Sequence, residues 1–206
     1  MWNNLEYLNL ADTDFQEMPD KALESCDCLA SVELSNSLTK IGSRAFYDCP
    51  LEKVIIPASV TSLGDHAFAI NDINKMRLKE VIINANLTEI PESCFSAQYF
   101  LKKVTFPNTL KKISKQAFWD TKIETLDFPP SITSVDATAF YWKDVTKIIC
   151  RALNVPDMPV PPYSIGIGPF FNLVKGKTTL YVPAASLDAY KDAWGQYFGE
   201  ENMKAL

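Results

Sequence analysis

Residues 38–57 read LTKIGSRAFYDCPLEKVIIP, residues 110–129 read LKKISKQAFWDTKIETLDFP, and the two align without a gap. They share Leu38/Leu110, Ile41/Ile113, Ala45/Ala117, Phe46/Phe118 and Pro57/Pro129. Repetition on this scale outranks local propensity in deciding the fold, because a recurring unit must bury its apolar side against its own copies.

Working outward with the Ala-Phe pair as marker gives Ala22-Leu23, Ala45-Phe46, Ala67-Phe68, Cys94-Phe95, Ala117-Phe118 and Ala139-Phe140. The markers are 22 or 23 residues apart, except for one step of 27 across the insertion INDINKMR at 70–77. An apolar pair precedes each one: Phe15/Met18, Leu38/Ile41, Val60/Leu63, Leu87/Ile90, Leu110/Ile113 and Ile132/Val135. A third set follows with the order apolar-x-x-apolar-x-apolar: LASVEL, LEKVII, LKEVII, LKKVTF, IETLDF and VTKIIC. LEYLNL at residues 5–10 reads as the end of a repeat whose beginning is missing, so the array is expected to be incomplete at its N-terminus.

Each downstream set alternates and is rich in β-branched and aromatic residues, as a short strand requires. Pro57, Pro107 and Pro129 follow three of them, and proline ends a strand because it cannot donate to the ladder. Between Ile41 and Phe46 the apolar spacing of four and five predicts one helical turn. A strand plus a compact return cannot bury its apolar side alone. The repeats must therefore stack, with parallel strands about 4.8 Å apart. Six or seven rungs make a gently curved solenoid.

The order x-I-x-x-x-A-F followed by apolar-x-x-V-x-I-P resembles the BspA-type leucine-rich repeat of bacterial surface proteins, over nearly the whole chain. The period also lies within the roughly 20–29 residues of leucine-rich repeats. The resemblance implies an α/β repeat solenoid: a right-handed superhelix with a parallel sheet on the concave face and short helical or irregular returns. It also implies a cell-surface or secreted setting and adhesion to a protein ligand, such as the matrix protein fibronectin.

Residues 1–152 are read as the repeat array and 153–206 as a degenerate last repeat with its cap, within one domain. Pro156, Pro159, Pro161, Pro162 and Pro169 mark an irregular stretch between Asn154 and Lys177, with Phe170 or Phe171 in the marker slot. Leu180-Tyr181-Val182-Pro183 repeats the strand-then-proline device. Ser186 is then the expected N-cap of a helix carrying Leu187, Tyr190, Trp194 and Phe198 at helical spacing. Such a helix would cover the open end of the stack.

Composition narrows the function. The chain is 47% hydrophobic and 22% charged, the profile of a folded protein. A net charge of -5 with no Lys/Arg block argues against nucleic acid, which needs clustered cations, and against a polybasic membrane patch. No apolar run approaches the roughly 20 residues of a membrane span. MWNNLEYLNLAD does not have the pattern of a secretory signal.

Catalytic chemistry finds little support. The single histidine, His66, stands just before a marker, where other repeats carry Lys21, Arg44, Ser93, Gln116 and Thr138, so its slot is expected to be solvated. The five cysteines are Cys26, Cys28, Cys49, Cys94 and Cys150. Cys94 replaces the small buried Ala and Cys150 the last inward residue of a strand, places where a thiol acts as a small hydrophobe. Cys28 and Cys49 are read as sharing the slot before the strand, with a bridge between them as the alternative to structural thiols. CDC at 26–28 has too short a spacing for zinc. A smooth solenoid face offers no cleft flanked by paired carboxylates, and IGIGP at 165–169 has no flanking strand and helix to make it a phosphate loop. No enzyme activity, metal or cofactor is expected.

The x positions of each strand point away from the core. They place Glu52, Lys53 and Ile55, then Lys79, Glu80 and Ile82, then Lys102, Lys103 and Thr105, and finally Asp127 on the concave face as candidate partner-binding residues. Ile55 and Ile82 are expected side by side, with a basic spot at Lys102 and Lys103. Tyr47, Trp119 and Tyr141 follow marker phenylalanines, and Tyr99, Phe100 and Trp142 lie nearby; they form either inter-rung packing or an exposed aromatic edge. A protein-interaction module is the first functional reading, a spacer segment of a larger surface protein the second, and an accessory carbohydrate-binding role the third. The unpaired strand at Leu5–Leu10 is expected to promote self-association.

Overall fold

The computed structural model describes residues 4–140, 144–159, 170 and 172–206. Each repeat contributes two strands. The longer ones are β1 (Tyr7–Asn9), β3 (Ser31–Glu33), β5 (Lys53–Ile56), β7 (Glu80–Ile83), β9 (Lys103–Thr105), β11 (Thr125–Phe128) and β13 (Lys147–Cys150). The shorter ones are β2 (Glu17–Met18), β4 (Lys40–Ile41), β6 (Ser62–Leu63), β8 (Glu89–Ile90), β10 (Lys112–Ile113) and β12 (Ser134–Val135). The C-terminal part adds β14 (Thr179–Val182), helix α1 (Leu187–Phe198) and β15 (Met203–Ala205). Every ladder is parallel, as stacking of successive repeats demands.

The upstream apolar pair thus closes a second strand ladder. The helical turn expected from Ile41 to Phe46 does not form. Ile41 ends β4, and the marker segment after it is a turn carrying residues at positive φ: Arg44 (56°) and Asp48 (58°), Ser93 (54°) and Ala97 (60°), Gln116 (55°) and Asp120 (57°). Left-handed residues at this spacing break a helix. They also turn alternate backbone groups outward. Phe46 N–H reaches Ala67 C=O at 2.8 Å in the next repeat, while Ala45 N–H closes on Gly42 C=O at 3.3 Å in its own. The apolar spacing of four and five therefore reflects this alternation rather than a helix.

Inside, the apolar positions of each repeat meet their copies. Phe46, Phe68, Phe95, Phe118 and Phe140 stack with ring centroids 5.1–5.2 Å apart and planes within 10°. All five are buried, as are Ala45, Ala67, Cys94, Ala117 and Ala139 beside them. Hydroxyls tie the rungs where backbone bonds are absent: Ser59 donates to Leu38 C=O (2.7 Å), Thr109 to Leu87 C=O (2.9 Å) and Ser131 to Leu110 C=O (2.6 Å).

The helix expected at the C-terminus is present, with Tyr190, Trp194 and Phe198 buried. Ser186 does not cap it through its side chain; its hydroxyl donates to Leu153 C=O at 2.6 Å and fastens the helix start to the previous rung. Tyr190 Oη donates to Ala152 C=O at 3.0 Å. Phe170 packs edge-on against Trp194 and Phe198, each 4.8 Å away. Beyond the helix, β15 pairs with β14, an element the sequence reading missed. Most of the proline-rich stretch, including Pro161, Pro162, Pro169 and Phe171, lies outside the described residues.

The middle of the ring stack should be the most sensitive point. Phe95→Ala is expected to cost about 3–5 kcal/mol, since the neighbouring rungs cannot collapse onto the gap without losing register. Chemical denaturation checks this. A loss below about 1 kcal/mol would contradict a stack that carries the fold.

Candidate partner-binding face

Strand pairing puts the candidate residues into columns. Lys53, Glu80 and Lys103 are successive register partners, and so are Ile55, Ile82 and Thr105. Further along, Asp127 pairs with Ile149 and Ile149 with Tyr181. Alternation explains the display: in β5 the Val54 and Ile56 side chains are buried while Lys53 and Ile55 are exposed. Ile55 remains 46% exposed, unusual for an isoleucine in a strand.

The charges on this face neutralise one another across rungs. Glu80 accepts from Lys103 at 2.6 Å and from Lys53 at 2.8 Å. These two ammonium groups, Lys103 first, hold the Glu80 carboxyl down at about 2. Lys79 meets Glu52 at 3.5 Å, and Arg151 grips both oxygens of Asp127 at 2.8 and 2.9 Å. The expected basic spot is therefore reduced to Lys102, because Lys103 is spoken for. With the charges paired, exposed Ile55 and its half-buried neighbour Ile82 are the apolar groups of this face that gain from contact with a partner.

The strand ladder on this face is not continuous. It divides into β1-β3, β5-β7-β9 and β11-β13-β14-β15. At the first break Glu52 N–H still reaches Ala30 C=O (3.0 Å), but the strands beyond it do not pair. A cleft of about 510 Å³ opens there, lined by Val32, Leu34, Lys53, Ile55, Pro57 and Asn84 among others. The second break holds a smaller cleft of about 230 Å³ between Thr105, Phe106, Asp127 and Arg151. These clefts are absent from the sequence reading. The repeat pattern is unbroken at both places, so no signal in it marks them.

The remaining candidates separate. His66 adopts φ 58° and is half-buried, and Lys21, Arg44, Ser93 and Gln116 in the equivalent slot share positive φ, with Ser93 buried, so in these five repeats the slot is selected by backbone conformation as well as by solvent; Thr138, also buried, does not share that conformation. Cys28 is exposed while Cys49 is buried, so they do not share a slot. Tyr47 is half-buried beneath the Arg44 guanidinium at 4.1 Å, and Trp119 is half-buried too. Tyr141 and Trp142 lie outside the described residues. Of the described candidates for an aromatic edge, Tyr99 and Phe100 are exposed, 41% and 49% accessible and edge-to-face at 5.5 Å. Among the described residues no group of three or more His, Cys, Asp or Glu is placed to hold a metal ion. No described helix is long and apolar enough to cross a membrane.

A family model for the BspA-type leucine-rich repeat region matches residues 1–74 and 16–147 in six copies. The chain belongs to this family. BspA-type repeats are stacked binding scaffolds that act through extended surfaces. The chain is also similar to a solved leucine-rich repeat protein from Bacteroides ovatus, at 19% identity and TM-score 0.49, covering 97% of this chain and 60% of that one. A leucine-rich cell surface protein from Faecalibacterium prausnitzii aligns at 15% identity and TM-score 0.42, over 95% and 63% of the two chains. The pneumococcal vaccine antigen PcpA aligns at 14% and 0.39, over 97% and 67%. The chain thus spans about 60% of the length of the first two structures. No curated protein matches it.

The Glu80 cluster makes a pH prediction. Its folded-state value lies below the usual 4.5, so its contribution is present above 4.5 and is lost as pH falls from 4.5 towards 2. Glu80→Gln should flatten that part of the stability profile, lowering stability modestly above pH 4.5 and converging with the native chain towards pH 2, with the size of the effect held down by solvent screening at this half-buried site. Unfolding midpoints between pH 2 and 6 test this; parallel profiles for the two proteins would refute it.

Proposed function

We propose that the chain is a non-enzymatic protein-interaction module of a bacterial surface protein, and that it adheres to host or matrix proteins through the face of β5, β7 and β9. The observation that carries this reading is the Ile55–Ile82 pair on a surface whose neighbouring charges are already satisfied. Burying that pair removes apolar area from water without stranding a charge. Glu52, Lys53, Lys79, Glu80, Lys102, Lys103, Thr105 and Asp127 form the polar surround that would fix orientation. Membership of the family supports the cell-surface setting.

Surface capture of the intact chain on immobilised matrix proteins, fibronectin included, tests the proposal. Ile55→Thr with Ile82→Thr, which keeps β-branched side chains in the ladder, should weaken binding at least tenfold, a change of about 1.4 kcal/mol or more, while the chain still unfolds in one cooperative transition. Binding that survives both substitutions would move the site elsewhere. Failure of the intact chain to bind any such protein would favour the spacer reading.

The outer edge of β1 has no partner strand among the described residues, so we also propose that copies associate there. Light scattering should show mass rising with concentration. A strict monomer with strong amide protection over Tyr7–Asn9 would rule this out.

A further inference from the structure

We propose that Cys26 and Cys49 are an intrachain disulfide site joining the first two marker turns. Each stands three residues after its marker, Leu23 and Phe46. Leu23 N–H bonds to Ala45 C=O at 2.9 Å and Ser25 N–H to Tyr47 C=O at 2.8 Å, which holds the two turns in register as adjacent rungs. A rung spacing of about 4.8 Å lies inside the roughly 4.4–6.8 Å between Cα atoms that a disulfide accepts.

The Cys49 thiol and the Cys26 backbone already meet at one acceptor. Cys49 Sγ donates to Leu23 C=O at 3.0 Å, and the same oxygen accepts Cys26 N–H at 3.2 Å. Both cysteines are at most 2% exposed. The other two buried thiols have no such neighbour: the matching positions beside Cys94 are Ala67 and Ala117, and Cys150 pairs with Phe128. Cys28 is exposed.

Oxidation takes two protons and two electrons from the two thiols and forms one S–S bond. A small-molecule disulfide such as oxidised glutathione accepts them and is cleaved to two thiols. Burial pushes the Cys49 thiol up to about 12, so the thiolate is scarce and exchange in the folded chain is slow. The bond closes the chain from 26 to 49 and locks the first rungs against fraying.

The test holds the native chain in mixed reduced and oxidised glutathione, alkylates remaining thiols and cleaves before aspartates. Cleavage before Asp27 separates Cys26 from Cys28. The expected product is a linked pair of peptides carrying Cys26 and Cys49, about 2 Da lighter than the two thiol peptides together, with a raised unfolding midpoint that a reductant reverses. Cys28→Ser, an exposed change, should keep both; Cys49→Ala should lose both. Recovery of Cys26 and Cys49 fully alkylated, a glutathione adduct on Cys28 alone, or a bond that includes Cys28 overturns the proposal.

Discussion

Five phenylalanine rings at 5.1–5.2 Å separation are the contact on which the rest of the solenoid depends. A ring that buries roughly 150–250 Å² does so only if the next repeat delivers its own ring at the same height. That condition forces each repeat to return to the same place, and so brings the strand ladders, the turn-to-turn bonds and the hydroxyl ties into register. It also explains why the repeats tolerate different residues on the outside. The insertion at 70–77 adds residues between two markers, yet Phe68 and Phe95 still stack at 5.2 Å and β5 still pairs with β7. The core sets the register, and the loop accommodates the excess length.

Much of this was legible in the sequence because burial repeats. Leu51, Val54 and Ile56 could be assigned inward from one repeat by comparison with the others, and all three are buried. Ile55 and Ile82 could be placed side by side for the same reason. What escaped depended on backbone conformation, which leaves a weaker trace. Arg44, His66 and Gln116 share positive φ, but their side chains have nothing in common except polarity, so the slot looked merely solvated. The two-residue strands were hidden because one apolar residue and its neighbour are compatible with either a strand or a turn. The pairing of Lys103 with Glu80 was equally invisible, since it depends on which rung lies beside which column.

The candidate face combines an apolar pair with charges that are locally balanced. Such a surface does not attract partners from a distance, because paired ions leave little net field. On the reading proposed above, recognition would depend on close fit around Ile55 and Ile82 and on the neighbouring cleft, where the β3 and β5 edges part. The cap serves the opposite purpose at the end of the stack: α1 covers the core with Tyr190, Trp194 and Phe198, and β15 extends the sheet past it.

The cross-rung ion pairs have a consequence for how such an array can change length. Glu80 stands between Lys53 and Lys103, each contributed by a different repeat. Excising the repeat that carries Glu80 would leave a stack whose phenylalanines still match, but it would bring two lysines into neighbouring register with no carboxylate between them. Insertion of an extra copy would duplicate the carboxylate instead. The core is therefore indifferent to the number of repeats, whereas the surface records their order, and a gain or loss of one repeat rewrites the charge at both of its borders.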